Sequence, residues 1–365
     1  MKPAYIFKTL AVCFLMAVTA CSGNDGGEDS GTVSGDLTLS ISKTVIEANG
    51  TDAVTVAVMK GETDITSQSK VYMEDPSGNT SSFKETSFST TTEGDYVFYA
   101  YYEGVKTENI TVRAFKNIPS LPADSKPEQN TGFAKRVLAV QHTGTWCSNC
   151  PYMKKGIDAY VKANPDNCAV FVASHNGDTM AGDASNTVNN YLAVPSYPSL
   201  SVDLNTSSMI IGALSDANKQ AEQIASRVNE VAASGCKTAI SVASENAGSS
   251  VVVNVKVKSA NVDNCRIAVW LLEDGIVAEQ NGGSVNEVHN NVLLTSSSTV
   301  AYGDRIQLDA DGAGQNVYRM DVSNVHDLSN CRLVVFTAVP NASGRFVVDN
   351  VVTCPLDGQT AFEYE

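Results

Sequence analysis

Trp146-Cys147-Ser148-Asn149-Cys150-Pro151 decides the reading of this 365-residue chain. Two thiols stand three positions apart, directly after the apolar run Val137 to Gln141, which reads as a buried strand, and directly before Ser148 to Lys162, which has helical spacing. A cysteine at the N-terminal end of a helix faces unpaired N–H groups and the positive end of the helix dipole, so its thiolate is stabilised and becomes the better nucleophile. On this reading Cys147 attacks, Cys150 resolves from one turn on, and Trp146 flanks the pair. Pro151 fits because the first turn of a helix leaves its N–H groups unused.

Working outward, strand and helix alternate. Ala169 to Ala173 reads as a second strand, Asp183 to Leu192 as a short helix and Ser199 to Asp203 as a third strand. Ser215 opens a long helix with Ala217, Ala221, Ile224, Ala225, Val228, Val231 and Ala232 on one stripe and Gly235 as its stop. The order resembles the thioredoxin-like layer of sheet between helices. Pro198, 48 positions after Cys150 and just before the third strand, matches the cis proline of that fold, and the resemblance implies that it shapes the groove where substrate backbone docks. One position departs from the pattern. Thioredoxins carry a buried acid six residues before the first active cysteine, and here that residue is Gln141, which cannot accept the proton of the second thiol. His142 and His175 are the nearest residues able to replace it, each with the alternative of an ordinary hydrogen-bonded loop histidine. The motif as a whole has the alternative of a structural disulfide.

The N-terminus sets the compartment. Lys2 and Lys8 precede an apolar stretch, Leu10 to Ala20, with the layout of a secretory signal and too short to cross a bilayer comfortably. It ends Val18-Thr19-Ala20-Cys21, which resembles the lipobox of bacterial lipoproteins and implies lipidation at Cys21. Residues 21–35 are polar, acidic and glycine-rich and read as a flexible tether. Removing residues 1–20 takes away two lysines and no acids, which moves the formal charge from -15 to -17. Such a chain repels phosphate backbones, so nucleic acid is excluded as an expected partner.

Composition marks the other boundaries. Residues 36–115 alternate apolar and polar positions in short runs such as Leu37 to Ile41, Val54 to Val58 and Tyr96 to Tyr101, parted by turn signals, and read as an antiparallel sandwich. The Gly94-Asp95-Tyr96 step resembles bacterial immunoglobulin-like modules, and a spacer role is expected. Residues 116–134, with Pro119, Pro122 and Pro127, read as a linker, 135–236 as the thioredoxin-like domain, and 237–365 as a second sandwich. In that last segment Asn264-Cys265-Arg266-Ile267 and Asn330-Cys331-Arg332-Leu333 look alike, so their cysteines either pair across a sheet or are simply buried. Outside the motif, Cys168, Cys236, Cys265, Cys331 and Cys354 include no close pair, so a structural zinc site is not expected. A copper site from Cys147, Cys150 and His142 or His175 is the weaker alternative. No metal and no cofactor are expected.

Taken together, these pieces resemble the outer membrane protein 28 family of lipoproteins, from about Phe133 to the C-terminus. Thr143 to Pro151 carries the resemblance, with His175 and the Val288-His289-Asn290-Asn291-Val292-Leu293 segment in support. The expected fold class is therefore multidomain, a thioredoxin-like α/β domain flanked by two all-β sandwiches, lipid-anchored at the outer membrane on its periplasmic or surface face. Two functions follow. In one, the pair exchanges disulfides with protein thiol or disulfide substrates. In the other, which the family's description as surface adhesins or receptors implies, the domain is a scaffold and the sandwiches bind an extracellular ligand.

Overall fold

The computed structural model describes residues 36–259, 262, 264–306, 308–323 and 325–365. The expected signal segment, the tether and Cys21 lie outside the described residues. The chain divides into two compact units, one ending at Asn117 and one running from Ile118 to Glu365.

In the first unit two sheets share one core. Leu37–Ile41 pairs antiparallel with Val54–Lys60, which also pairs with Thr63–Asp64 and Ser87–Phe88. The other sheet runs in the order Val45–Glu47, Ile110–Phe115, Gly94–Tyr102, Lys70–Glu74, Thr80–Phe83. Period-two alternation sends Leu39, Val56 and Val58 from the first sheet and Ile46, Phe98 and Val112 from the second into a common cluster. The Tyr96 hydroxyl donates to the Thr92 carbonyl at 3.0 Å and ties down the turn before its strand. On the opposite face of that strand Tyr99 and Tyr101 point outward, and Tyr72 stacks on Tyr99 with ring centroids 5.5 Å apart.

The second unit is built on a nine-stranded mixed sheet. Its order is Asn205–Ile211, Ser199–Val202, Val137–Thr143, Ala169–His175, Val292–Ser296, Arg266–Glu273, Cys331–Pro340, Phe346–Pro355, with Asp304–Arg305 alongside Arg266–Glu273. Three helices, α1 (Cys150–Ala163), α2 (Asp183–Leu192) and α3 (Ala217–Ala232), join the first strands. Pleating sorts the side chains. Val137, Ala139 and Phe171 meet Met153 and Ile157 of α1 and Ile224 and Val228 of α3. Leu138, Val140 and Val172 point the other way, to Val188 and Leu192 of α2, in a cluster that continues to Trp270 and Phe336. Beyond the helices, the α1 side of the sheet is covered by a four-stranded sheet (Ala313–Asp321, Ser250–Ser259, Thr238–Asn246, Gln359–Thr360) through Val253, Val255 and Tyr318 against Ile267, Val269 and Val335. Gly156 lets α1 and α3 approach, since a Cβ there would overlap the Gln220 side chain.

Three expectations meet the structure differently. The sequence places a boundary at 236/237, yet Ala169–His175 pairs in parallel with Val292–Ser296 and carries one sheet across it. The sandwich expected over 237–365 therefore does not stand apart: its strands fall into the four-stranded sheet and into the nine-stranded sheet that includes the strands beside the motif. Residues 118 onward do not act as a free linker: the Asn254 amide donates to the Pro119 carbonyl at 2.9 Å, and the Lys258 ammonium meets Asp124 at 2.8 Å. Of the two alternatives for Cys265 and Cys331, burial holds and pairing does not: they belong to neighbouring strands, but Arg266 faces Ala338 while Glu273 faces Cys331, so the two thiols sit at opposite ends of the pairing, free and buried.

Candidate functional site

Cys147 and Cys150 are joined in a disulfide. The strand Val137–Thr143 delivers the chain to the loop Gly144–Asn149, and α1 begins at Cys150 with Pro151 in its first turn. The loop is pinned from several directions. Trp146 Nε1 donates to the Asn176 carbonyl at 2.7 Å, and the Thr145 N–H donates to Asp178 Oδ2 at 2.8 Å. Trp146 is 47 % exposed, whereas Cys147 and Cys150 keep only 4 % and 2 % of their surface. The indole is thus the accessible part of the loop, and the two sulfurs are not.

The Tyr197–Pro198 peptide bond is cis. The Tyr197 ring lies edge-on to Trp146, centroids 5.4 Å apart, so the turn entering the strand Ser199–Val202 stands beside the motif.

A hairpin far along the chain closes the other side. Ile276–Ala278 and Glu287–His289 pair antiparallel, and the residues between them press on the loop. Buried Gln280 shares its Nε2 hydrogens among the carbonyls of Cys147 (2.9 Å), Gly144 (3.2 Å) and Thr145 (3.2 Å). Asn281 donates its N–H to the Thr145 carbonyl at 2.8 Å and its side-chain amide to the Trp146 carbonyl at 3.0 Å. Gly282 has φ of +74°, and a Cβ there would overlap the Ser148 carbonyl, so both its conformation and its closeness require glycine.

The two histidines separate by the pleat. His142 lies on the α2 face, away from α1, with Nδ1 2.7 Å from Asn189 Oδ1 and Nε2 2.9 Å from Ser201 Oγ. Burial pushes its pKa down to about 4, against a smaller opposing contribution from Asn189. With both nitrogens engaged, it is a neutral core residue and not a proton carrier for the motif. His175 is registered opposite Thr143 and so shares the α1 face with Cys150. Its Nδ1 lies 2.7 Å from Asp178 Oδ2, and its buried Nε2 has no partner. His289, from the hairpin, brings a second buried Nε2 without a partner, with ring centroids 5.4 Å apart. Cys150, His175 and His289 line one cavity with Gln141, Asp158 and the Lys154–Glu287 ion pair, whose N–O distance is 2.7 Å. Burial raises the Asp158 pKa, with Lys154 opposing.

Sequence reasoning brought Trp146, Cys147, Cys150 and His175 to this place and missed Asp178, Gln280 and the histidine pairing. Asp178 stands three residues after His175, which is a readable signal; Gln280 has none, because its contacts span more than 130 residues. Among the described residues no group of three or more His, Cys, Asp or Glu side chains is arranged to hold a metal.

The family model for outer membrane protein Omp28 matches residues 185–358, which begin after the motif. HBP35 of Porphyromonas gingivalis is similar in structure over 63 % of this chain and 77 % of its own, with a TM-score of 0.53 and 17 % sequence identity, a likeness of fold. A domain of the outer membrane lipoprotein Omp28 from Porphyromonas gingivalis aligns with 34 % of this chain and 92 % of its own at 20 % identity, with a TM-score of 0.25. No curated protein matches the chain. Among the described residues no helix is long and apolar enough to cross a membrane.

Proposed function

We propose that this chain is an outer-membrane lipoprotein, anchored through Cys21, whose second unit contains a thioredoxin-like layer and exchanges disulfides through Cys147 and Cys150. The observation that carries the reading is the disulfide itself, seated between the end of a buried strand and the first turn of α1. Cys147 attacks a substrate disulfide, Cys150 resolves the mixed disulfide, Trp146 offers the exposed contact, and Pro198 borders the groove for substrate backbone. The family-model match supports the location, and the first unit serves as an immunoglobulin-like spacer, a reading supported by the Tyr96 hydroxyl folded back onto its upstream turn.

The test is the reduction potential of the Cys147/Cys150 pair in the fragment from Gly31 onward, equilibrated in glutathione buffers with free thiols trapped. A value between roughly -270 and -120 mV belongs to exchange catalysts, and one below about -300 mV marks a structural disulfide.

One observation favours a second reading, a non-enzymatic surface adhesin or receptor. Both sulfurs are buried, while Tyr72, Tyr99 and Tyr101 gather on the outer face of a sheet in the first unit. Replacing Cys147 by Ser separates the two, abolishing exchange in the first and leaving ligand binding intact in the second.

A further inference from the structure

We propose that His175, held by Asp178 and facing His289, is the proton acceptor for the resolving thiol of Cys150. The inference rests on the exchange reading above. Once Cys147 is bound to a substrate sulfur, Cys150 must attack as a thiolate, since the thiol is a poor nucleophile. Cys150 is almost wholly buried, so its proton cannot pass straight to bulk water. Gln141, which lines the cavity, has no basic atom to take it.

His175 has the required form. Burial alone would raise the Asp178 pKa, but the hydrogen bond from His175, the charge that ring takes up with a proton, and the N–H groups of Thr145 and Met180 hold it below the usual carboxylate range. An ionised Asp178 only accepts, so before proton transfer the hydrogen of their 2.7 Å bond lies on His175 Nδ1, which leaves the buried, unpartnered Nε2 as the accepting atom of a ring that lines the cavity. That cavity, of about 70 Å³, has room for a water between the groups, which needs roughly 10–15 Å³. The other groups around it are engaged or opposed. On α1, Lys154 is paired with Glu287 of the hairpin, and Asp158 lies two turns beyond Cys150. Burial lowers the His289 pKa, and the charge that His175 takes up with the proton lowers it further, so the proton stays on the ring that Asp178 holds.

The step balances. The Cys150 thiol gives its proton to His175 Nε2, directly or through one water. Its sulfur then bonds to Cys147 as the bond from Cys147 to the substrate sulfur breaks. The departing sulfur takes the bonding pair and then a proton from the imidazolium or from solvent. The dithiol has been oxidised by two electrons and the substrate disulfide reduced by two.

The reduced full-length chain, mixed with one equivalent of dithiobis(nitrobenzoate), releases one nitrothiobenzoate when Cys147 attacks and a second when Cys150 resolves. In His175→Ala the first release should stay within about twofold of wild type and the second slow by about a hundredfold. Added imidazole should restore part of that loss. An unchanged second release, or a slowed one that imidazole leaves untouched, overturns the proposal. Fast reaction of the otherwise buried Cys265, Cys331 and Cys354 would mean that the variant has not folded; His175→Asn, which keeps a polar contact to Asp178 but no ring nitrogen, then decides by the same two rates. A wild-type protein that gives no first release overturns the exchange reading itself, which is a separate result.

Discussion

Gln280 Nε2 donates to the carbonyl oxygen of Cys147 at 2.9 Å, across a sequence separation of 133 residues. The same amide reaches the Gly144 and Thr145 carbonyls, so one side chain satisfies several acceptors of the loop that carries the disulfide. Gln280→Ala removes these bonds, while the backbone N–H groups of Cys147, Asn281 and Cys150 still reach the same carbonyls, and should cost about 0.5–1.5 kcal/mol. Urea unfolding of the oxidised protein gives that number. Reduction by dithiothreitol should also be faster in the variant, because the loop opens more readily; an unchanged rate would show that Gln280 contributes stability alone.

Asp203 gathers two partners inside the second unit. Oδ2 meets Lys135 Nζ at 2.6 Å and Oδ1 accepts the Leu138 N–H at 2.8 Å, with both charged side chains less than a tenth exposed. Asp203→Ala leaves the buried Lys135 ammonium with the Asp349 carbonyl at 2.6 Å but no carboxylate, and the expected loss is about 3 kcal/mol. Chemical denaturation should resolve it from the smaller change expected of a surface aspartate such as Asp95.

Acid sensitivity divides between two residues with opposite signs. Burial pushes His142 down to about 4, so between its ordinary pKa of 6.5 and about 4 the unfolded chain takes up a proton that the folded chain refuses, and stability is lost as pH falls. Burial pushes Asp203 up to about 6, partly offset by Lys135, so its contribution is intact below 3.8 and is lost as pH rises through 6. His142→Gln should therefore gain on wild type as pH falls from 6.5 to 4, and Asp203→Asn should gain as pH rises from 4 to 6. Thermal melts across that window read both differences, and parallel curves for wild type and either variant would refute that assignment.

Three of the unpaired thiols of the second unit are expected to react more slowly than the reduced motif. Burial pushes the Cys236, Cys265 and Cys331 thiols up to about 12, and neighbouring carboxylates add to the effect. At pH 8 the folded protein should leave these three unalkylated by iodoacetamide over minutes, while reduction makes Cys147 the site of fast labelling. Peptide mapping after quenching checks the pattern.

The elements next to the motif were legible because each rests on local chemistry. Val137 to Gln141 is apolar, Pro151 suits a first turn, and the α3 stripe recurs at helical spacing, so the structure moves these boundaries by only a few positions. The pleat separating His142 from His175 was also readable in principle, since alternate residues of a strand face opposite ways. What stayed hidden depends on long-range pairing. Glu279 to Ser284 is a polar stretch that reads as any turn, and nothing in it announces an amide aimed at Cys147. The run Ile267-Ala268-Val269-Trp270-Leu271-Leu272 did carry a signal, since unbroken apolarity marks a strand covered on both faces and not one side of a free-standing sandwich.

The nine-stranded sheet has a bearing on how the protein comes into being. If the chain is exported N-terminus first, as the proposed location implies, Cys147 and Cys150 leave the translocon more than 120 residues ahead of the hairpin that encloses them. Until Val292–Ser296 arrives to pair with Ala169–His175, that strand offers an open edge and the two thiols have no Gln280 above them. On that proposed route the cysteines would be open to periplasmic oxidants before the strand and Gln280 cover them, so the starting redox state would be set before the fold can control it.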